Sequence, residues 1–200
     1  EVDRLVLGLA TVGLAVTGKV PAETAFLPNK KISVKVNGHE EIALVDVAVV
    51  TERYIGARAL WRTETFRELF VTFADPEVIG MSAIAGLLTP VTRLERHGLH
   101  VRLSPEDDAK IILDTPIAPG YMRGIGIEDY QPMKPGVIYR PCITDGSIAL
   151  DGERELSFSQ DDDVTIELLP EAFKTVNVSG CMQYASRHGL MRMNRQTLQQ

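Results

Sequence analysis

Apolar residues recur at distinct spacings along this chain, and each spacing predicts its own element. Val2, Leu5, Leu9, Val12 and Val16 follow a helical period, with Gly8, Ala10, Gly13 and Ala15 between them. That pattern predicts a buried helix over Leu5 to Thr17, with Asp3 in its first turn and Gly18 near its C-terminal end. After Pro21 the period falls to two. Ile32, Val34 and Val36 alternate with Lys31, Ser33 and Lys35, as a half-buried strand does. Asn37-Gly38 then marks a two-residue hairpin turn, and Ile42 to Val50 reads as a returning strand. This second strand is apolar on both faces except at Asp46, which predicts a central place in a sheet.

Beyond that hairpin the runs are short. Glu52 to Trp61 is mixed and reads as one helical stretch; Leu69 to Phe73 reads as a strand stopped by Asp75-Pro76. Ile79 to Leu88 is rich in small residues, a composition that lets backbones approach closely. Strands are expected at Leu99 to Leu103, Lys110 to Leu113, Met122 to Ile127, Val137 to Tyr139, Ser147 to Leu150, Glu155 to Phe158 and Val164 to Leu168. A closing helix is expected over Ser179 to His188, followed by a polar tail. The expected fold is mainly β (α+β): one antiparallel, sandwich-like domain over residues 1–200 with a few flanking helices.

Composition narrows the function classes. A formal net charge of −6 argues against nucleic acid as the main partner, because phosphate backbones need a basic face. The apolar opening run is shorter than the roughly 20 residues of a membrane span, so no membrane role is expected. Its acidic flank does not suit a signal peptide, and the two cysteines, Cys142 and Cys181, lack disulfide-scaffold spacing. A cytoplasmic setting is the expectation. The histidines His39, His97, His100 and His188 show no zinc-like spacing, so no metal site is expected, and the two thiols read as incidental. An apolar helix opening a chain without an initiator Met reads as part of a larger protein.

Three places in the chain are candidates for chemistry. Asp151-Gly152-Glu153 joins two strand-like runs, so it reads first as a type I′ hairpin turn and second as a rigid platform carrying two carboxylates. Asp46 is an acid in a strand that disfavours charge; it reads either as a structural acid bonded to backbone amides or as a ligand-facing one. Ser82 lies in the small-residue run and reads as close packing or as a ligand contact. Arg53 and Arg58 suit bidentate contact with an oxyanion, although exposed arginines on a helix are common. No Gly-rich phosphate loop lies between a strand and a helix.

Four segments in order carry a family resemblance: Ala43 to Val49, Glu52 to Trp61, Ile79 to Leu87 and Leu150-Asp151-Gly152-Glu153-Arg154-Glu155. Together they resemble the C-terminal domain of the acetoin-catabolism protein X family, a member of the ATP-NAD kinase-like group that is similar to the diacylglycerol kinase catalytic fold. The resemblance implies a β-rich acceptor-side domain whose ATP-binding Gly-Gly-Asp-Gly-Thr partner domain is absent from this chain. It implies ATP and Mg²⁺ bound mainly by that missing domain, a small-molecule acceptor such as NAD, and a homo-oligomer. It also implies catalytic roles for Glu153 and Asp151 and acceptor contacts from Asp46, Ser82, Arg53 and Gly152. Val45-Asp46 stands where an Asn-Glu pair contacts the dinucleotide in NAD kinases, and the Thr-Gly-Ser-Thr-Ala-Tyr character of the NAD site is missing from Ile79 to Leu87. The alternative is a non-catalytic ligand-binding or oligomerisation module in acetoin catabolism.

Overall fold

The computed structural model describes residues 4–52 and 63–192. The chain forms two compact units, a large one over Lys30–Ala172 and a small one made from its two ends, Glu1–Asn29 and Phe173–Gln200.

In the large unit, antiparallel strands build two sheets. One has the order β2-β1-β11-β8, from β1 (Phe26–Val36), β2 (His39–Ala43), β8 (Ile138–Tyr139) and β11 (Val164–Val176). The other has the order β10-β9-β3-β4-β5-β7-β6. Its members are β3 (Asp46–Val50), β4 (Phe66–Val71), β5 (Gly98–Leu103), β6 (Ile111–Ala118), β7 (Tyr121–Met133), β9 (Gly146–Leu150) and β10 (Arg154–Phe158).

Both faces of the longer sheet are covered, and strand alternation divides its apolar residues between them. Val47, Val49, Phe70, Ile148 and Leu150 join Ile32, Val34, Ile166 and Leu168 of the other sheet in one core. Ala48, Val50, Leu69, Val71, Leu99 and Val101 join Met81, Ile84 and Ala85 of helix α3 (Met81–Leu88) in a second. Every residue of β3 is therefore buried, as a strand apolar on both faces requires. The β-rich, mainly antiparallel fold expected from the alternation is present.

One segment differs from expectation, and a second, expected only to allow close approach, takes helical form. Ile42 to Val50 is not one strand: β2 ends at Ala43 in the smaller sheet, β3 starts at Asp46 in the larger one, and Leu44-Val45 crosses between them. Ile79 to Leu88 is mostly helix α3. Its small residues serve close packing: a Cβ built on Gly86 would lie 2.4 Å from the Asp75 carbonyl carbon.

The small unit holds α1 (Arg4–Val16), α2 (Ala22–Ala25) and α4 (Val178–Arg187). Leu14, Val20, Ala25, Cys181 and Ala185 form its core, and Asn177 caps α4 by accepting from the Gly180 amide at 3.0 Å. Leu5 to Thr17 is expected as a buried helix, yet Leu9, Val12 and Val16 of α1 are 67%, 49% and 79% exposed. No helix among the described residues is long and apolar enough to cross a membrane.

Candidate functional site

The Asp151-Gly152-Glu153 turn folds as its composition dictates. Asp151 and Gly152 take φ of 54° and 68°, the left-handed region that both central residues of a type I′ turn need. The Glu153 amide closes the turn on the Leu150 carbonyl at 3.0 Å, and Leu150 pairs with Arg154 across the hairpin.

What the turn does locally is set by its first side chain. One Asp151 carboxylate accepts from three successive amides: Leu44 at 2.9 Å, Val45 at 2.8 Å and Asp46 at 3.2 Å. Those are the amides freed where the chain crosses from one sheet to the other, so Asp151 satisfies donors that the ladders leave open. Thr72 completes the crossing by donating its hydroxyl to the Leu44 carbonyl at 2.8 Å. Arg154 secures Asp151 from outside. Its guanidinium lies 3.5 Å from Asp151 Oδ2, donates to the Ile42 carbonyl at 2.7 Å and pairs with Glu41 at 2.8 Å.

Asp46 stands beside this anchor and is buried. Its Oδ2 accepts from the Ser82 hydroxyl at 3.4 Å, while Oδ1 has no hydrogen-bond partner. Burial first, and the Asp151 charge second, push its pKa up to about 6; the Ser82 hydroxyl opposes them weakly. The fold thus brings Asp46, Ser82 and Asp151 together, joining the start of β3, the first turn of α3 and the β9–β10 turn. Glu153 shares the turn with Asp151 but is exposed, and its carboxylate has no hydrogen bond or ion pair among the described residues. Gly152 is exposed too, with open space where a side chain would begin. Arg53 and Arg58 lie outside the described residues.

Residues missed by reading the sequence include Arg154 and Thr72, each recognisable only once the sheet crossing is known. A second polar cluster was also missed. The Nε2 of His100 lies 2.9 Å from Glu68 Oε1 inside the large unit. The amide of Cys142 donates to Glu68 Oε2 at 2.7 Å. The His100 ring stacks on Phe70 at 4.3 Å, with Tyr139 edge-on. Burial, then the nearby Glu68 carboxylate, pushes the Cys142 thiol up to about 11, so it is held as a thiol and is a poor nucleophile. Glu68 and His100 are 32 residues apart, and only the β4–β5 register sets them side by side.

The chain is similar to a family model and to a curated protein. The family model described as acetoin catabolism protein X C-terminal domain matches residues 30–171, which coincide with the large unit. Acetoin catabolism protein X of Cupriavidus necator is 45% identical over 195 residues, covering 95% of this chain and 54% of that protein. The chain therefore spans about half the length of the curated relative it matches.

Proposed function

We propose a function from one premise: this chain belongs to the acetoin catabolism protein X C-terminal domain family. On that premise it is the acceptor-side domain of an ATP-dependent small-molecule phosphotransferase of the ATP-NAD kinase-like group, with a role in acetoin catabolism.

The observation that carries the reading is the division of labour at one turn. Asp151 is consumed in fixing the turn to the start of β3, which leaves Glu153 a solvent-facing carboxylate on a rigid support. Phosphoryl transfer asks the protein mainly for positioning and charge stabilisation, and a held carboxylate can accept or orient the proton of an attacking hydroxyl. Asp46 and Ser82 supply polar groups next to that support. No group of three or more His, Cys, Asp or Glu among the described residues is arranged to hold a metal ion. On the family resemblance, ATP and Mg²⁺ are bound mainly by the part of the family protein beyond this chain.

The test uses a full-length family member with Mg-ATP and NAD, reading NADP formation. NADP made by the native protein and lost on Glu153→Gln supports the reading. A native protein that phosphorylates NAD while Glu153→Gln does so equally well removes Glu153 from the chemistry.

One observation favours a second reading, a non-catalytic ligand-binding module. Of the three carboxylates, Asp151 is engaged by backbone amides and Asp46 is buried, so Glu153 is the one exposed to solvent. Metabolite binding without phosphate transfer by the full-length protein would favour it.

A further inference from the structure

A cavity of about 380 Å³ opens in the large unit between residues 73–77, beyond the end of β4, and residues 90–93, beyond the end of α3. Its lining includes none of Asp46, Ser82, Asp151 or Glu153. Ala74 and Val91 tie the two walls together by exchanging backbone hydrogen bonds at 2.8 and 2.9 Å. Lys30 anchors the second wall, donating to the Thr92 carbonyl at 3.0 Å and to those of Glu95 and His97 beyond it. In the first wall, Asp75 Oδ1 accepts from the Glu77 amide at 2.9 Å. The walls are therefore fixed by bonds that need no ligand.

Arg93 is the residue those bonds leave unused. Its Cζ lies 3.5 Å from the centroid of the Phe73 ring, so one face of the guanidinium is committed to a buried aromatic. Its N–H groups make no hydrogen bond or ion pair among the described residues. Burial lowers its pKa, with the Asp75 carboxylate opposing, yet a guanidinium keeps its charge at neutral pH. A fork that is stacked, charged and unclaimed is preorganised for a planar oxyanion, because much of the side-chain ordering that binding costs is already met.

The other lining residues narrow the anion. Asp75 and Glu77 set two carboxylates against one guanidinium, so a phosphate dianion meets net repulsion. A carboxylate fits two parallel N–H donors of the fork, and a hydroxyl or ammonium on the same molecule gives the acids something to accept. Ala74, Pro90 and Val91 offer the remainder an apolar wall, and the volume is at the small end for a ligand site.

We propose that this cavity binds a small monocarboxylate that carries a hydrogen-bond donor, with its carboxylate on Arg93 and its donor on Asp75 or Glu77. The proposal stands apart from the phosphotransferase reading, whose residues lie elsewhere.

The test titrates the protein with L-lactate, acetate and inorganic phosphate by calorimetry, with the Arg93 Nε–H resonance in NMR locating the site. Lactate is expected to saturate with a Kd of about 1–10 mM and to shift that resonance. Acetate, lacking the donor, and phosphate should each bind at least about tenfold more weakly. Arg93→Lys keeps the charge without the fork; it should weaken lactate about tenfold or more while melting within about 2 °C of native. The full-length protein should bind lactate within about threefold of this chain. No saturable lactate binding up to about 100 mM overturns the proposal. So does an Arg93→Lys variant that binds lactate as the native chain does, or acetate or phosphate binding as tightly as lactate. Lactate excluded from the full-length protein overturns it too, by making a carboxylate of the remaining polypeptide the occupant.

Discussion

Asp46 and Asp151 are tied by a reciprocal pair of hydrogen bonds: the Asp46 amide donates to Asp151 Oδ1 at 3.2 Å, and the Asp151 amide donates to the Asp46 carbonyl at 3.0 Å. The start of β3 and the turn that carries Glu153 therefore hold each other. Their carboxylates, by contrast, are neighbours of like charge, and the buried one bears the cost.

Asp151 has two separable roles, as acceptor for three amides and as a residue tolerant of φ 54°. Asp151→Ala loses both and is expected to cost about 2–4 kcal/mol. Asp151→Gly keeps the backbone freedom and should cost about 1 kcal/mol less. Urea unfolding of the two variants separates the contributions.

The raised pKa of Asp46 fixes the sign of a pH effect. Its folded value of about 6 lies above the ordinary 3.8, so between those pH values the folded state holds more protons than the unfolded state. Stability from this group falls as pH rises through that window, and the full cost is present above about 6. Asp46→Asn should therefore stabilise the protein by about 1–3 kcal/mol at pH 7.5, and the gain should disappear by pH 4. If Asp46 also faces the acceptor, the same variant binds it more weakly. Unfolding curves at the two pH values, with a ligand titration on the full-length protein, read both effects.

The Glu153 side chain makes no hydrogen bond or ion pair among the described residues. Glu153→Gln should leave unfolding free energy within about 0.5 kcal/mol of native. In a full-length family member it is expected to lower phosphoryl transfer about 100-fold or more. A folded variant with full activity would exclude Glu153 as an acid or base.

Lys30 is buried in the large unit and donates its ammonium to the carbonyls of Thr92 at 3.0 Å, Glu95 at 2.6 Å and His97 at 2.7 Å. Burial lowers its pKa to about 8, so it still carries its proton at neutral pH. Lys30→Met keeps the apolar stem and leaves three carbonyls without their donor. The expected cost is about 2–4 kcal/mol, with faster amide exchange over residues 92–97 as its local sign.

Local patterns carried much of this fold. Two-residue alternation marked the strands, and the Asn37-Gly38 and Asp151-Gly152 pairs marked their turns, because residues at positive φ are chemically restricted. The full apolarity of Val47 to Val50 announced a strand covered on both faces, since a pleated strand shows alternate side chains to each. The four segments in order pointed to the family that the comparison supports.

Other features needed the tertiary structure. The break at Leu44-Val45 is invisible locally, because those residues are as strand-like as their neighbours and the carboxylate that draws off their amides lies more than 100 residues away. The Glu68–His100 pair depends on the β4–β5 register in the same way. Helix α1 shows the limit most directly: periodicity established that it is an apolar helix, but which side meets a neighbour and which is left to solvent is a property of its surroundings. Sequence by itself determined most of the strands, two of their turns and the family, since these rest on local backbone and burial preferences. Only the fold decided which carboxylates are structural and which is free, because that follows from long-range pairings that bring each acid to its amides or leave it in water.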